Sequence, residues 1–83
     1  MPLLKVAAGT INTTPLAWES NRRIILEAIE EARRQEVSLL CLPELCITGY
    51  GCDDAFYSHN TSSQAIESLL EIVPHTSGMV VSV

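Results

Sequence analysis

The group best placed to do chemistry in this sequence is the carboxylate of Glu44. It is the only acid between Glu36 and Asp53, and it stands inside the run Leu40-Cys41-Leu42-Pro43-Glu44-Leu45-Cys46-Ile47-Thr48. Apolar neighbours on both sides would tend to raise the pKa of such an acid, which suits a general base. On position alone Glu44 could equally cap a neighbouring turn or pair with an arginine, because structural networks also perturb acids.

The other reactive side chains offer less. Cys41, Cys46 and Cys52 form an odd set without a CxxC pair, which fits reduced thiols better than a disulfide framework. A nucleophilic thiol needs an electropositive, accessible setting, and this acidic segment offers none to Cys46. Lys5 is the sole lysine; near the start of an apolar run it reads as a solvated edge charge. His59 and His75 lie sixteen residues apart with no cysteine or acid spaced to complete a tetrahedral set, so no metal site is expected. Asp53 and Asp54 shape a loop or cap a turn more readily than they bind substrate.

Composition narrows the classes of partner. The chain has 83 residues, a net charge of -5 and five basic residues, whereas phosphate backbones are bound by clustered Lys and Arg. Nucleic acid is therefore not an expected ligand. The start Met1-Pro2-Leu3-Leu4-Lys5 lacks a basic region followed by a long apolar one, and no apolar run approaches the ~18 residues of a membrane span. No membrane association and a cytoplasmic location are expected. The triplets Asn12-Thr13-Thr14 and Asn60-Thr61-Ser62 would matter only in a secretory context.

The elements that must position Glu44 follow from hydrophobic period. Leu3 to Ile11 is a short apolar run closed by the turn formers Asn12-Thr13-Thr14-Pro15, which predicts a buried strand. Between Leu16 and Glu36, Trp18, Ile25, Ala28, Ile29 and Ala32 recur at three- and four-residue steps, which predicts an amphipathic helix with Thr14-Pro15 at its capped start. Glu30 and Arg34 form an expected i,i+4 pair, and Trp18 an expected core or interface anchor. Val37 to Leu42 predicts a second strand; Pro43 ends it by removing a ladder donor. Thr48 to Asp54 reads as a loop that leads into a helical turn over Ala55 to Tyr57. Ser62 to Val73 predicts a second helix with Ala65, Ile66, Leu69, Leu70 and Val73 on its buried side, stopped by Pro74. Met79 to Val83 predicts a third strand.

This β-α-β-α-β order calls for parallel pairing through crossovers, and a ligand crevice beyond the carboxyl ends of the strands, where Glu44 falls. Nearly continuous apolar strands need cover on both sheet faces. Two helices cannot supply it, so a longer polypeptide is expected to continue past Val83.

The segment from Leu40 to Tyr50 resembles the first catalytic block of the nitrilase, or carbon-nitrogen hydrolase, superfamily: an apolar strand, Pro43-Glu44, then Gly49-Tyr50, preceded by a strand and a long helix. The continuation Gly49-Tyr50-Gly51-Cys52-Asp53-Asp54 is most similar to the glutaminase domain that opens glutamine-dependent NAD synthetases. The resemblance implies an α/β fold, the N-terminal portion of a nitrilase-like α-β-β-α sandwich, incomplete in these 83 residues and without a second domain.

It also implies chemistry. Glu44 matches the family's glutamate, which works with a lysine and a cysteine that have no match in this sequence, and Tyr50 either lines the substrate pocket or packs with a tethered hydroxyl. The glutamate would take the thiol proton and the thiolate attack glutamine, so that a thioester forms as ammonia leaves. Ammonia would pass to a C-terminal synthetase domain that uses ATP and magnesium; no cofactor is expected in this segment, and a homo-oligomer is. The remaining alternatives are another nitrilase-type amidase, carbamoylase or nitrilase, and a non-catalytic α/β interaction module.

Overall fold

In a computed structural model of the chain, residues 4–49 and 59–83 are described. The elements are β1 (Val6–Ala8), α1 (Trp18–Arg34), β2 (Leu39–Cys41), α2 (His59–Ile72), a 3₁₀ turn over Val73–Thr76, and β3 (Val80–Ser82). The three strands form one parallel sheet in the order β1-β2-β3. The strand that leads to Glu44 is therefore central, bonded on both sides.

The strands are shorter than the apolar runs that contain them. Each pairs over three residues, Val6, Leu39 and Val80 forming one row and Ala7, Leu40 and Val81 the next. The flanking apolar residues have other work. Val37 closes the end of α1, its N–H bonding the carbonyl of Ala32 at 3.0 Å. Lys5, exposed as expected, lends its backbone carbonyl to Ser38 at 2.7 Å and to Leu39 at 3.3 Å.

Strand alternation decides what is covered. Leu40 is buried, with Ala7 and Val81 beside it, against Ile25, Ile29 and Ala32 of α1 and Ile72 of α2. The alternate residues Val6, Leu39 and Val80 are exposed, as are Ala8, Cys41 and Ser82. Among the described residues both helices thus pack on one face of the sheet and nothing covers the other, as the expectation that two helices cannot cover both faces implies. Cys41, which an apolar strand would be expected to bury, instead sits exposed on the open face.

The α1 stripe reads as the sequence predicts at Ile25, Ile29 and Ala32, and it extends one turn toward the N-terminus to Asn21, fully buried. Trp18 is only half-buried. The helix begins at Trp18 with no side-chain cap, so Thr14-Pro15 does not start it. The reason is tertiary: both backbone groups of Thr14 are taken by the Asn21 side chain. At its end, Arg34 pairs with Glu31 rather than Glu30, and Arg23 with Glu27. Glu31 also accepts from Gln35 at 2.9 Å, and the Arg34 contact holds its carboxyl below the usual carboxylate range.

Helix α2 starts three residues earlier than its apolar pattern suggests and ends at Ile72, just before Pro74 as expected, the chain continuing through a 3₁₀ turn that contains the proline. Its buried face also differs. Thr61, Ser68 and Ile72 are buried, whereas Ile66, Leu69, Leu70 and Val73 are exposed. Small Thr61 and Ser68 side chains allow close approach to the core, and Arg22 of α1 reaches Glu71 of α2 at 2.9 Å, fixing the rotation from outside. Arg33 donates to the carbonyls of His75 and Ser77 and so ties the lead-in to β3 to α1.

Candidate functional site

Glu44 follows the central strand by three residues. The ladder continues past β2, with Gly9 N–H donating to Cys41 O at 2.8 Å and Leu42 N–H to Ser82 O at 2.9 Å. Pro43 supplies no further donor, and the chain leaves the sheet there. Residues 44–48 form a hydrogen-bonded turn in which Gly49 N–H bonds the carbonyl of Leu45 at 2.7 Å. Leu45 takes a left-handed φ of 59°, which costs a side-chain-bearing residue roughly 1–2 kcal/mol. The carboxylate is thus delivered beyond the C-terminal end of β2, where parallel sheets hold ligands.

The turn is anchored beneath. Cys46 is 1% exposed, and burial pushes its thiol above the ordinary range. It is a residue of the core, and a thiol whose proton is favoured by burial lacks the electropositive, accessible setting of a thiolate nucleophile. Asn21, reaching up from α1, donates to the carbonyl of Ile47 at 3.1 Å and to that of Thr14 at 2.8 Å, while its oxygen accepts from Thr14 N–H at 2.9 Å. Sequence reasoning missed Asn21, although a signal existed: positions 21, 25, 29 and 32 form one helical stripe, and an amide there is a polar group in a core position.

Glu44 itself is exposed, so these residues do not supply the apolar enclosure that its sequence neighbours suggest. The side chains of Leu42 and Cys46 turn into the core instead, while Leu45 is 44% exposed. The arginines that could have neutralised Glu44 are engaged elsewhere: Arg22 with Glu71, Arg23 with Glu27, Arg34 with Glu31, and Arg33 with the two carbonyls before β3. Its alternative as a core ion pair is therefore not realised among the described residues.

A hollow of about 190 Å³ lies beside this turn, lined by Leu45, Cys46, Ile47, Thr48 and Val83. A larger open groove, about 1030 Å³, runs along the outer side of α1 past Trp18, Arg22, Arg23 and His75. Its lining mixes Trp18 and Leu26 with the charged Glu19, Arg22, Arg23, Glu27 and Glu30, and includes neither Glu44 nor any residue of its turn. Tyr50, Cys52, Asp53, Asp54 and the helical turn at Ala55 to Tyr57 lie outside the described residues, as does the side chain of His59. Among the described residues no group of three His, Cys, Asp or Glu could hold a metal ion.

Comparison with known proteins places this geometry in context. The sequence model described as carbon-nitrogen hydrolase matches residues 5–83. The glutamine-dependent NAD(+) synthetase of Arabidopsis thaliana is 40% identical over 73 residues, 88% of this chain and 10% of its own length. That of Oryza sativa subsp. indica is 34% identical over 85 residues, all of this chain and 12% of its own. A crystal structure of a glutamine-dependent NAD(+) synthetase from Cytophaga hutchinsonii superposes with a TM-score of 0.91 at 45% identity, covering 94% of this chain and 13% of that one. The chain therefore spans only about an eighth or less of the relatives that it matches.

Proposed function

This chain belongs to the carbon-nitrogen hydrolase family, and we propose that it forms the N-terminal part of a glutamine amidohydrolase unit that supplies ammonia for NAD synthesis. Glu44 is the proton acceptor. The observation that carries this reading is its placement: a carboxylate set just beyond the central strand of a parallel sheet, with all four arginines of the chain engaged by other partners. The similarity to glutamine-dependent NAD synthetases supports glutamine as the substrate.

In the proposed reaction Glu44 takes the proton of a cysteine thiol contributed from beyond these 83 residues. The thiolate adds to the side-chain amide carbon of glutamine, a lysine from the same remainder stabilises the oxyanion, and Glu44 hands the thiol proton to the amide nitrogen, so that ammonia leaves as the thioester forms and the carboxylate is restored. Glu44 then draws a proton from water, which attacks the thioester and releases glutamate and free thiol. Tyr50 stands beside the turn in sequence and is assigned to the substrate pocket.

Ammonia passes to a synthetase part, where ATP and magnesium are used; no step on the present residues runs through either. The open sheet face, with Val6, Leu39 and Val80, is the side that the remainder of the domain covers. The assembly is a cytoplasmic homo-oligomer.

The test uses the complete polypeptide that carries these residues. Glu44→Gln should lower kcat for ammonia release from glutamine by about the 10²–10⁴-fold typical of losing a general base. NAD synthesis supplied with free ammonium should persist in the same variant. Glutamine hydrolysis near the unsubstituted rate would remove Glu44 from the mechanism.

A further inference from the structure

The buried amide of Asn21 has no place in the chemistry just described, yet among the described residues it joins α1 to the turn carrying Glu44. It is 0% exposed, and all of its hydrogen-bonding goes to backbone: Thr14 N–H and C=O, and Ile47 C=O, three residues beyond Glu44. Both of its amide hydrogens are used, so the contact is specific for an amide; a carboxylate there would aim lone pairs at two carbonyl oxygens.

Its partners are held in turn by each other. Leu16 N–H donates to Thr48 O at 2.7 Å, and Gly49 runs so close to Thr14 that a Cβ would lie 2.6 Å from the Thr14 carbonyl oxygen. The segment before α1 and the turn after β2 therefore form one backbone layer with Asn21 as its central cross-link. The turn also contains Leu45 in a left-handed conformation, a strained state that persists only when its surroundings over-determine it.

We propose that Asn21 is a positioning residue for Glu44: by fixing the Ile47 carbonyl against Thr14 it sets where the carboxylate is presented, without touching substrate. The inference rests on the reading of Glu44 as proton acceptor. Proton transfer requires the carboxylate within hydrogen-bond reach of its partner, and a displacement near 1 Å can cost about 100-fold in rate. Uniform glutamine binding, by contrast, does not depend on Glu44 placement.

The test is a double-mutant cycle in the complete polypeptide, with Asn21→Asp, which keeps the shape and loses both donors, and Asn21→Ser, which leaves room for a bridging water. Each should lower kcat for ammonia release by about 10–100-fold, the usual loss when an orienting hydrogen bond is removed. KM for glutamine should stay within about threefold, the signature of an interaction made only in the transition state. Combined with Glu44→Gln, neither should lower the rate beyond Glu44→Gln alone, because a positioning residue has nothing left to position.

A residue that only stabilises the fold would lower the melting temperature and leave kcat per folded enzyme unchanged. That result, or losses that multiply with those of Glu44→Gln, overturns the proposal for Asn21 and leaves Glu44 in place. Full activity in Glu44→Gln removes both. If Asn21→Asp fails to fold, Asn21→Ser carries the cycle. If neither folds, the proposal is overturned in favour of a purely structural amide.

Discussion

The N–H of Leu16 donates to the carbonyl of Thr48 at 2.7 Å, which bonds the backbone just before α1 to the turn just after β2. Two chain segments separated by a whole helix and a strand thus meet in one layer beneath the Glu44 turn. Gly49 closes that layer. Its φ of 84° is left-handed, and an added Cβ would stand 2.6 Å from the Thr14 carbonyl oxygen and 2.8 Å from the Pro15 nitrogen.

Gly49→Ala should therefore destabilise the fold by roughly 2–4 kcal/mol, combining left-handed strain with a backbone overlap that cannot be relieved by a rotamer change. Urea denaturation followed by circular dichroism measures it. A midpoint within error of the unsubstituted chain would show that the two segments are not in contact.

Helix α1 ends in a capping arrangement filled by an unexpected residue. Val37 N–H bonds Ala32 O and Glu36 N–H bonds Arg33 O, both at 3.0 Å, the paired bonds of a Schellman motif. The left-handed position belongs to Glu36, with φ 60°. Glycine takes this conformation without steric cost. Glu36→Gly should stabilise the fold by about 0.5–1 kcal/mol, the strain relieved less the extra entropy of an unfolded glycine. A thermal melt that moves down would contradict this.

How far the sequence could be read depended on where the deciding partner lay. The β-α-β-α-β order, the Pro43 boundary and the Ile25, Ile29, Ala32 face were legible because each follows from local chemistry or period. The buried side of α2 was not, because apolar residues occur on more than one of its sides and tertiary packing turns Thr61, Ser68 and Ile72 inward. Asn21 required a carbonyl 26 residues away, which no period reveals. The left-handed Leu16, Glu36 and Leu45 carry no signal in their residue types.

The open sheet face makes a prediction about association. With Val6 63% and Val80 65% exposed on one row with Leu39, the isolated 83-residue chain should self-associate, since contiguous apolar strands seek cover. Light scattering should give a mass above that of a monomer, and Leu39→Lys, on the central strand of that face, should shift it toward monomer. A stable monomer before any substitution would mean that the face does not need a partner layer.

Cys46 ties stability to alkaline pH. Burial raises its pKa above the ordinary thiol value of 9.0, so the folded state keeps the proton that the unfolded state gives up. A group with a raised folded pKa contributes stability that is fully present below its unfolded value and lost as pH rises toward the folded one. Stability should hold up to about pH 9 and then fall in the window above it. Cys46→Val keeps an apolar side chain of similar size and removes the titration, so the difference between the two proteins isolates the thiol from other groups that ionise at the same pH. In urea melts at pH 8 and pH 10, the unsubstituted chain should lose more stability over that interval than Cys46→Val does. Native-state labelling supplies the companion measurement in a Cys52→Ser background, where the exposed Cys41 thiol should react promptly and Cys46 only at the rate of unfolding. Equal pH slopes in the two proteins, together with rapid labelling of Cys46, would place this side chain in solvent and loosen the anchor under Glu44.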